Sequence, residues 1–127
     1  MKKVLSILLA VLFLTSCAGP EKEASYRQVS PEEAIAMMED ETGYLILDVR
    51  TPEEYAQKHI PGAVNVPNEA IGTGEIPELP QKDQLILVYC RSGNRNKQAS
   101  EKLAALGYTN IVEFGGINDW PGETVTE

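Results

Sequence analysis

Leu85-Ile86-Leu87-Val88-Tyr89-Cys90-Arg91-Ser92-Gly93-Asn94-Arg95 is the stretch that decides the fold. Its apolar run shows no polar alternation, as in a strand covered on both faces. Ser92, Gly93 and Asn94 are turn formers. Beyond them Ala99, Leu103 and Leu106 recur at helical spacing, and Gly107 punctuates the end. Cys90 therefore stands between the end of a buried strand and the start of a helix. Backbone N–H groups without an intrahelical partner meet it there, and the helix dipole favours an anion. Arg91 and Arg95 add positive charge. Such surroundings lower a thiol's pKa, and the thiolate is the attacking species. A drop of about two units from roughly 8.5 makes thiolate the majority near pH 7, at about 2.7 kcal/mol. A cysteine after an apolar strand is otherwise a small buried hydrophobe. A glycine-bearing loop before a helix can also merely bind an anion. The sulfur at the first position separates these readings, and chemistry requires that it not be sealed in the interior.

Outward from this stretch, Ser30-Pro31-Glu32-Glu33 and Thr51-Pro52-Glu53-Glu54 share one pattern. A hydroxyl N-cap, Pro at the first helical position and Glu three after the cap predict two helix starts. The first helix runs to about Met38, with Ala34, Ile35 and Met38 inward, and the second to about His59. Tyr44-Leu45-Ile46-Leu47 reads as a buried strand ending at Asp48. Ala63-Val64-Asn65-Val66 is a short strand stopped by Pro67. Residues 68–80 read as irregular, with a helical turn near Glu69 to Ile71. Asn110-Ile111-Val112-Glu113-Phe114 is a further strand, followed by Gly115-Gly116 and a turn to Trp120. Strands alternating with helices predict an α/β fold with a parallel sheet covered on both faces. Ligands of such sheets sit beyond the carboxyl ends of the strands. Asp48 with Arg50, Cys90, and Gly115-Gly116 all fall at strand ends and are expected along one edge.

The front of the chain reads differently. Lys2 and Lys3 precede an apolar stretch, Val4 to Leu14, broken only by Ser6. It is too short to span a bilayer comfortably and has the layout of a secretory signal. Leu14-Thr15-Ser16-Cys17 resembles the lipobox of bacterial lipoproteins. That resemblance implies a signal peptide over residues 1–16, lipidation of Cys17, and a lipidated N-terminus and tether over 17–29. The domain then occupies 30–127. The chain would be exported and lipid-anchored to the bacterial cell membrane, periplasmic or on the outer cell face. With 11 Lys+Arg against 19 Asp+Glu the net charge is −8, and −10 without Lys2 and Lys3. That balance repels nucleic acid and anionic head groups, so the expected membrane attachment is the lipid and not a basic face. With Cys17 as a thioether, Cys90 has no intramolecular disulfide partner, and a Cys-rich metal site is excluded.

At this point the motifs match a known family. The chain resembles a single-domain rhodanese, or thiosulfate sulfurtransferase. Asp48-Val49-Arg50, Glu54-Tyr55, His59-Ile60-Pro61-Gly62-Ala63 and Asn65-Val66-Pro67 are similar to its first signature. Tyr89-Cys90-Arg91-Ser92-Gly93-Asn94-Arg95 is similar to its active-site loop, and Gly115-Gly116 with Trp120 to its closing motif. The resemblance covers roughly residues 27–122. It implies a three-layer domain with a central parallel sheet of about five strands. It implies that Cys90 takes the outer sulfur of thiosulfate, or of a persulfide or polysulfide donor, and passes it from a Cys90 persulfide to a thiol or to cyanide. Small sulfur donors and thiol acceptors, a protein persulfide among them, are the implied partners. No cofactor and no metal are implied. Arg91, Ser92, Gly93, Asn94 and Arg95 would bind the substrate, with backbone N–H groups of residues 91–95 as the cradle. Arg95 is expected to fix the loop's shape, Gly93 to serve its conformation, and Ser92 either to bond the substrate or only to turn the chain. Asp48 and Arg50 are expected to be a supporting pair under the loop.

The loop from Cys90 to Arg95 is six residues long. Rhodanese-fold phosphatases and arsenate reductases, the alternative enzymatic reading, carry one more, which widens the cradle for a tetrahedral oxyanion. A non-catalytic binding module is the third reading; such modules often lack the cysteine. The family often has Ser after the loop arginine, where this chain has Asn96. His59 is expected to be a dipole partner or a local hydrogen bonder at a helix C-terminus rather than a general base, and Tyr108 and Trp120 to be packing residues.

Overall fold

Capping chemistry starts two helices of the computed structural model, which describes residues 25–72 and 74–126. The expected signal peptide, Cys17 and the first part of the expected tether lie outside the described residues. Helix α1 is Pro31–Asp40, and the Ser30 hydroxyl accepts from the Glu33 N–H at 3.1 Å. Helix α2 is Pro52–Gln57 and carries the full reciprocal box. Thr51 Oγ1 accepts from Glu54 N at 3.2 Å, and Thr51 N donates to Glu54 Oε1 at 3.3 Å. This helix is shorter than its sequence pattern predicts, because Lys58 is extended. His59 beside it exchanges both backbone hydrogen bonds with Val125, each at 2.9 Å. Helix α3 is Arg95–Ala105.

The sheet has five parallel strands: β1 (Arg27–Gln28), β2 (Leu45–Asp48), β3 (Val64–Asn65), β4 (Ile86–Cys90) and β5 (Ile111–Gly116). Their order is β1-β5-β4-β2-β3, with β4 at the centre. The fold is of the expected α/β class. The expected tether over 17–29 needs one correction. Arg27 and Gln28 pair with Val112 and Glu113, and Val29 N–H donates to Glu113 O at 3.0 Å. Without these residues β5 would present an unpaired edge, so the end of the tether is sheet.

The pleat sorts β4 between two layers. Ile86, Val88 and Cys90 pack with Ala99 and Leu103 of α3 and with Ile71, Leu79 and Tyr108. Leu87 and Tyr89 pack with Ala34 of α1 and with Ile60, Phe114 and Ile117. Leu103 is fully buried, and its truncation to Ala costs about 2–5 kcal/mol. One irregularity sets the site. Val88 pairs with Glu113, but Cys90 pairs with Gly116, so β5 holds one extra residue across this step. Gly116 is thereby pressed against the loop after Cys90. A Cβ there would lie 2.0 Å from the Arg91 carbonyl oxygen and 2.7 Å from Ser92 N.

Candidate active site

Cys90 ends the central strand, and among the described residues its sulfur has one donor and one acceptor. Gly93 N–H donates to Sγ at 3.1 Å, and the thiol donates to Asn96 Oδ1 at 3.2 Å. Gly93 reaches this position with φ +103°, a backbone region that side-chain-bearing residues rarely adopt. The predicted cradle is thus represented at the sulfur by the Gly93 amide, facing a carbonyl oxygen from the first turn of α3. The openness of the site is corrected: Cys90 is 1% exposed, while Arg91, Ser92 and Asn94 form an exposed rim above it. Strand register explains this, because Cys90 points into the layer that α3 covers.

Arg95 does not stand free beside the sulfur. Its Nη1 and Nη2 bond the two Glu54 carboxylate oxygens at 2.6 and 3.0 Å. These hydrogen bonds outweigh partial burial and hold the Glu54 carboxyl down at about 2. The same pair raises Arg95 further, so its charge is permanent but shared. Arg95 therefore ties the first turn of α3, at the end of the loop, to α2. Arg91 is exposed, and its carbonyl accepts from Asn118 N at 3.2 Å, which pins the rim to the turn after β5. Asn94 occupies the N-cap position of α3 without a side-chain cap bond.

Asp48 and Arg50 form a buried ion pair, 0% and 3% exposed, with Nη2 and Oδ2 at 2.6 Å. Arg50 also donates to Lys58 O at 2.6 Å. Tyr89 OH donates to Asp48 Oδ2 at 2.7 Å and accepts from Ile60 N at 3.1 Å. Burial and the Asp48 charge push the Tyr89 phenol far above its ordinary range. The pair thus anchors the residue before Cys90, on the opposite face of the strand. His59 is a local hydrogen bonder: Nδ1 lies 2.8 Å from Tyr55 O, and its ring stacks on Tyr55 at 3.8 Å. Tyr108 and Trp120 are packing residues, the first donating to Leu79 O at 2.7 Å and the second set against Phe114.

Residues 30–123 match the model of the rhodanese-like domain family. This chain is a member of that family. Thiosulfate sulfurtransferase PspE of Escherichia coli strain K12 is 38% identical over 73 residues, covering 58% of this chain and 70% of that protein. Thiosulfate sulfurtransferase GlpE of Pseudomonas entomophila is 31% identical over 106 residues, covering 80% of this chain and 94% of that one. Among solved structures, a rhodanese with anions from E. coli superposes with TM-score 0.61 at 34% identity, over 66% of this chain and 99% of that chain. A rhodanese-related protein from Thermoplasma volcanium gives TM-score 0.67 at 28% identity, over 80% and 100%. The rhodanese domain therefore has relatives that carry the name sulfurtransferase.

One residue of this rhodanese site escaped the sequence. The buried Glu113 carboxylate of β5 accepts from the Asn96 side-chain amide and, at 3.0 Å, from Gly115 N. Glu113 thus stands one residue removed from the sulfur, through Asn96. Its signal was an acid inside an otherwise apolar strand, Ile111-Val112-Glu113-Phe114, in a sheet covered on both faces.

Proposed function

We propose that this chain is a sulfurtransferase that carries sulfane sulfur on Cys90. The Cys90 thiolate attacks the outer sulfur of thiosulfate, a persulfide or a polysulfide, and the donor's remainder leaves. A thiol or cyanide then attacks the terminal sulfur of the persulfide and regenerates the enzyme, so ping-pong kinetics follow. The observation that carries this function is the Cys90 sulfur at the carboxyl end of the central strand, under the Gly93 amide in a six-residue loop closed by Arg95. That loop length favours sulfur over a tetrahedral phosphate or arsenate. The sulfur is covered beneath the exposed Arg91, Ser92 and Asn94, so donor access requires that rim to move. Sulfur-carrier and sulfurtransferase names among the relatives support sulfur-bearing partners for this chain as well. The lipobox-like segment through Cys17 supports an exported, lipid-anchored setting for this chemistry at the cell envelope.

Incubation with thiosulfate is expected to add the mass of one sulfur atom to the Cys90 peptide and to release sulfite. Cys90→Ser abolishes both, together with cyanide-dependent thiosulfate consumption. A chain that takes up no sulfur from thiosulfate, persulfide or polysulfide donors, but hydrolyses a phosphate ester, would be a phosphatase. One that does neither has a structural cysteine.

A further inference from the structure

Asn96 has an amide whose two ends are chemically distinct, and Glu113 decides which end meets the sulfur. A carboxylate only accepts, so the Asn96 NH2 group turns to Glu113 and its carbonyl oxygen turns to Cys90. Asn96 is 0% exposed and Glu113 4%, so water does not relax this arrangement. Gly115 N–H on the same carboxylate oxygen fixes Glu113 in turn. A carbonyl oxygen 3.2 Å from sulfur accepts an S–H well, but it repels a thiolate and has no hydrogen to accept from a persulfide's inner sulfur.

We infer that Glu113 is a positioning residue for the sulfur of Cys90: by locking the Asn96 amide it favours the unloaded thiol, and sulfur loading works against that lock. Loading removes the Sγ proton to water, forms the bond from Sγ to the donor's outer sulfur, and breaks the donor's own S–S bond, whose electron pair leaves with sulfite when the donor is thiosulfate. Asn96 Oδ1 then has lost its donor. The amide can offer its NH2 to the sulfur only if Glu113 takes up a proton and donates to the carbonyl, or gives up its hold. Other charged and titratable groups face the two ends of this relay. Arg95, tied to Glu54, acts on the sulfur end. Tyr26 faces Glu113 from before β1, and Lys97 and Asp119 line the same groove as Glu113. None of these sits between Cys90 and Asn96, so their fields act alike whether or not the amide is present.

This inference rests on Cys90 being the sulfur-accepting atom, and the test is chosen to need no sulfur donor. Cys90 in the whole chain is alkylated with iodoacetamide across a pH series, and the reaction is read on the Cys90 peptide. Glu113→Gln replaces a charge-assisted hydrogen bond by a neutral one, so alkylation near pH 7 is expected about tenfold faster, with the rise of the profile moved to lower pH. In an Asn96→Ala background the same substitution is expected to change the rate far less, because the lock is already cut. Equal acceleration in both backgrounds means a field effect alone and overturns the inference, as does no acceleration. A measurement on the unmutated chain guards against misfolded variants. The Glu113 carboxyl carbon resonance is titrated before and after Cys90 is blocked by methylthiolation. Coupling is reciprocal, so its midpoint is expected to move, and an unmoved midpoint overturns the lock. A chain that shows the coupling but never forms a persulfide fails the sulfurtransferase reading alone.

Discussion

Arg95 grips both carboxylate oxygens of Glu54, 41 residues earlier in the chain, and so ties the first turn of α3 to α2. The two-pronged geometry needs a guanidinium. Arg95→Lys keeps the charge and loses the fork. It is expected to cost about 1 kcal/mol in urea unfolding and to lower sulfur loading of Cys90 by more than that stability loss explains. Loading unchanged in the Lys variant would mean that the loop keeps its shape without the pair.

The same pair gives the stability a pH dependence. Glu54 is held at about 2, below its ordinary 4.5, first by the Arg95 hydrogen bonds and then by Thr51. A depressed carboxyl stabilises the fold above its unfolded value, and that contribution drains away as pH falls from about 4.5 towards 2. The partners are about a quarter exposed, so solvent screening reduces the contribution to the order of 1 kcal/mol. Urea midpoints at pH 6 and pH 3 are expected to differ less for Glu54→Gln than for the unmutated chain. Equal differences would show that the pair is not the source.

Gly116 is required by contact with backbone. Gly116→Ala would place a methyl 2.0 Å from the Arg91 carbonyl oxygen, and no side chain can move away to relieve it. The loop has to shift, at about 1–3 kcal/mol. The variant is expected to melt lower and to load sulfur more slowly, with amide resonances of residues 91–93 displaced. A variant as stable and as active as the parent would mean that the loop is softer than this packing requires.

Tyr89→Phe removes a hydroxyl that serves both Asp48 and the Ile60 N–H in a buried setting. Leaving those groups unmet is expected to cost about 1–3 kcal/mol in chemical denaturation. Sulfur loading by the folded fraction is expected to change little, because Tyr89 points away from the Cys90 face. A large loss of loading at full folding would assign the Asp48–Arg50 pair a direct role in the site.

Local chemistry made much of this domain legible. Ser30 and Thr51 cap their helices through the Glu three residues on, as their spacing announced. The unbroken apolar run before Cys90 became the central strand, and Arg95 became the tie that closes the loop. The short strand β1 was hidden, since Arg27-Gln28 has no apolar pattern and joins the sheet through its pairing with β5. The early end of α2 was hidden for a related reason: His59 pairs with Val125 from the far end of the chain.

By itself the sequence determined a parallel α/β domain of the rhodanese kind, with one cysteine at a strand-to-helix turn, because caps, apolar runs and the loop motif act over a few neighbouring residues. Tertiary structure alone decided that the sulfur is covered, that it meets a carbonyl oxygen as well as an amide, and that Glu113 stands behind that carbonyl. Those facts depend on the register of β4 against β5 and on how α3 lies across them. Such contacts join residues distant in the chain, and no local pattern encodes which end of the Asn96 amide will face the thiol.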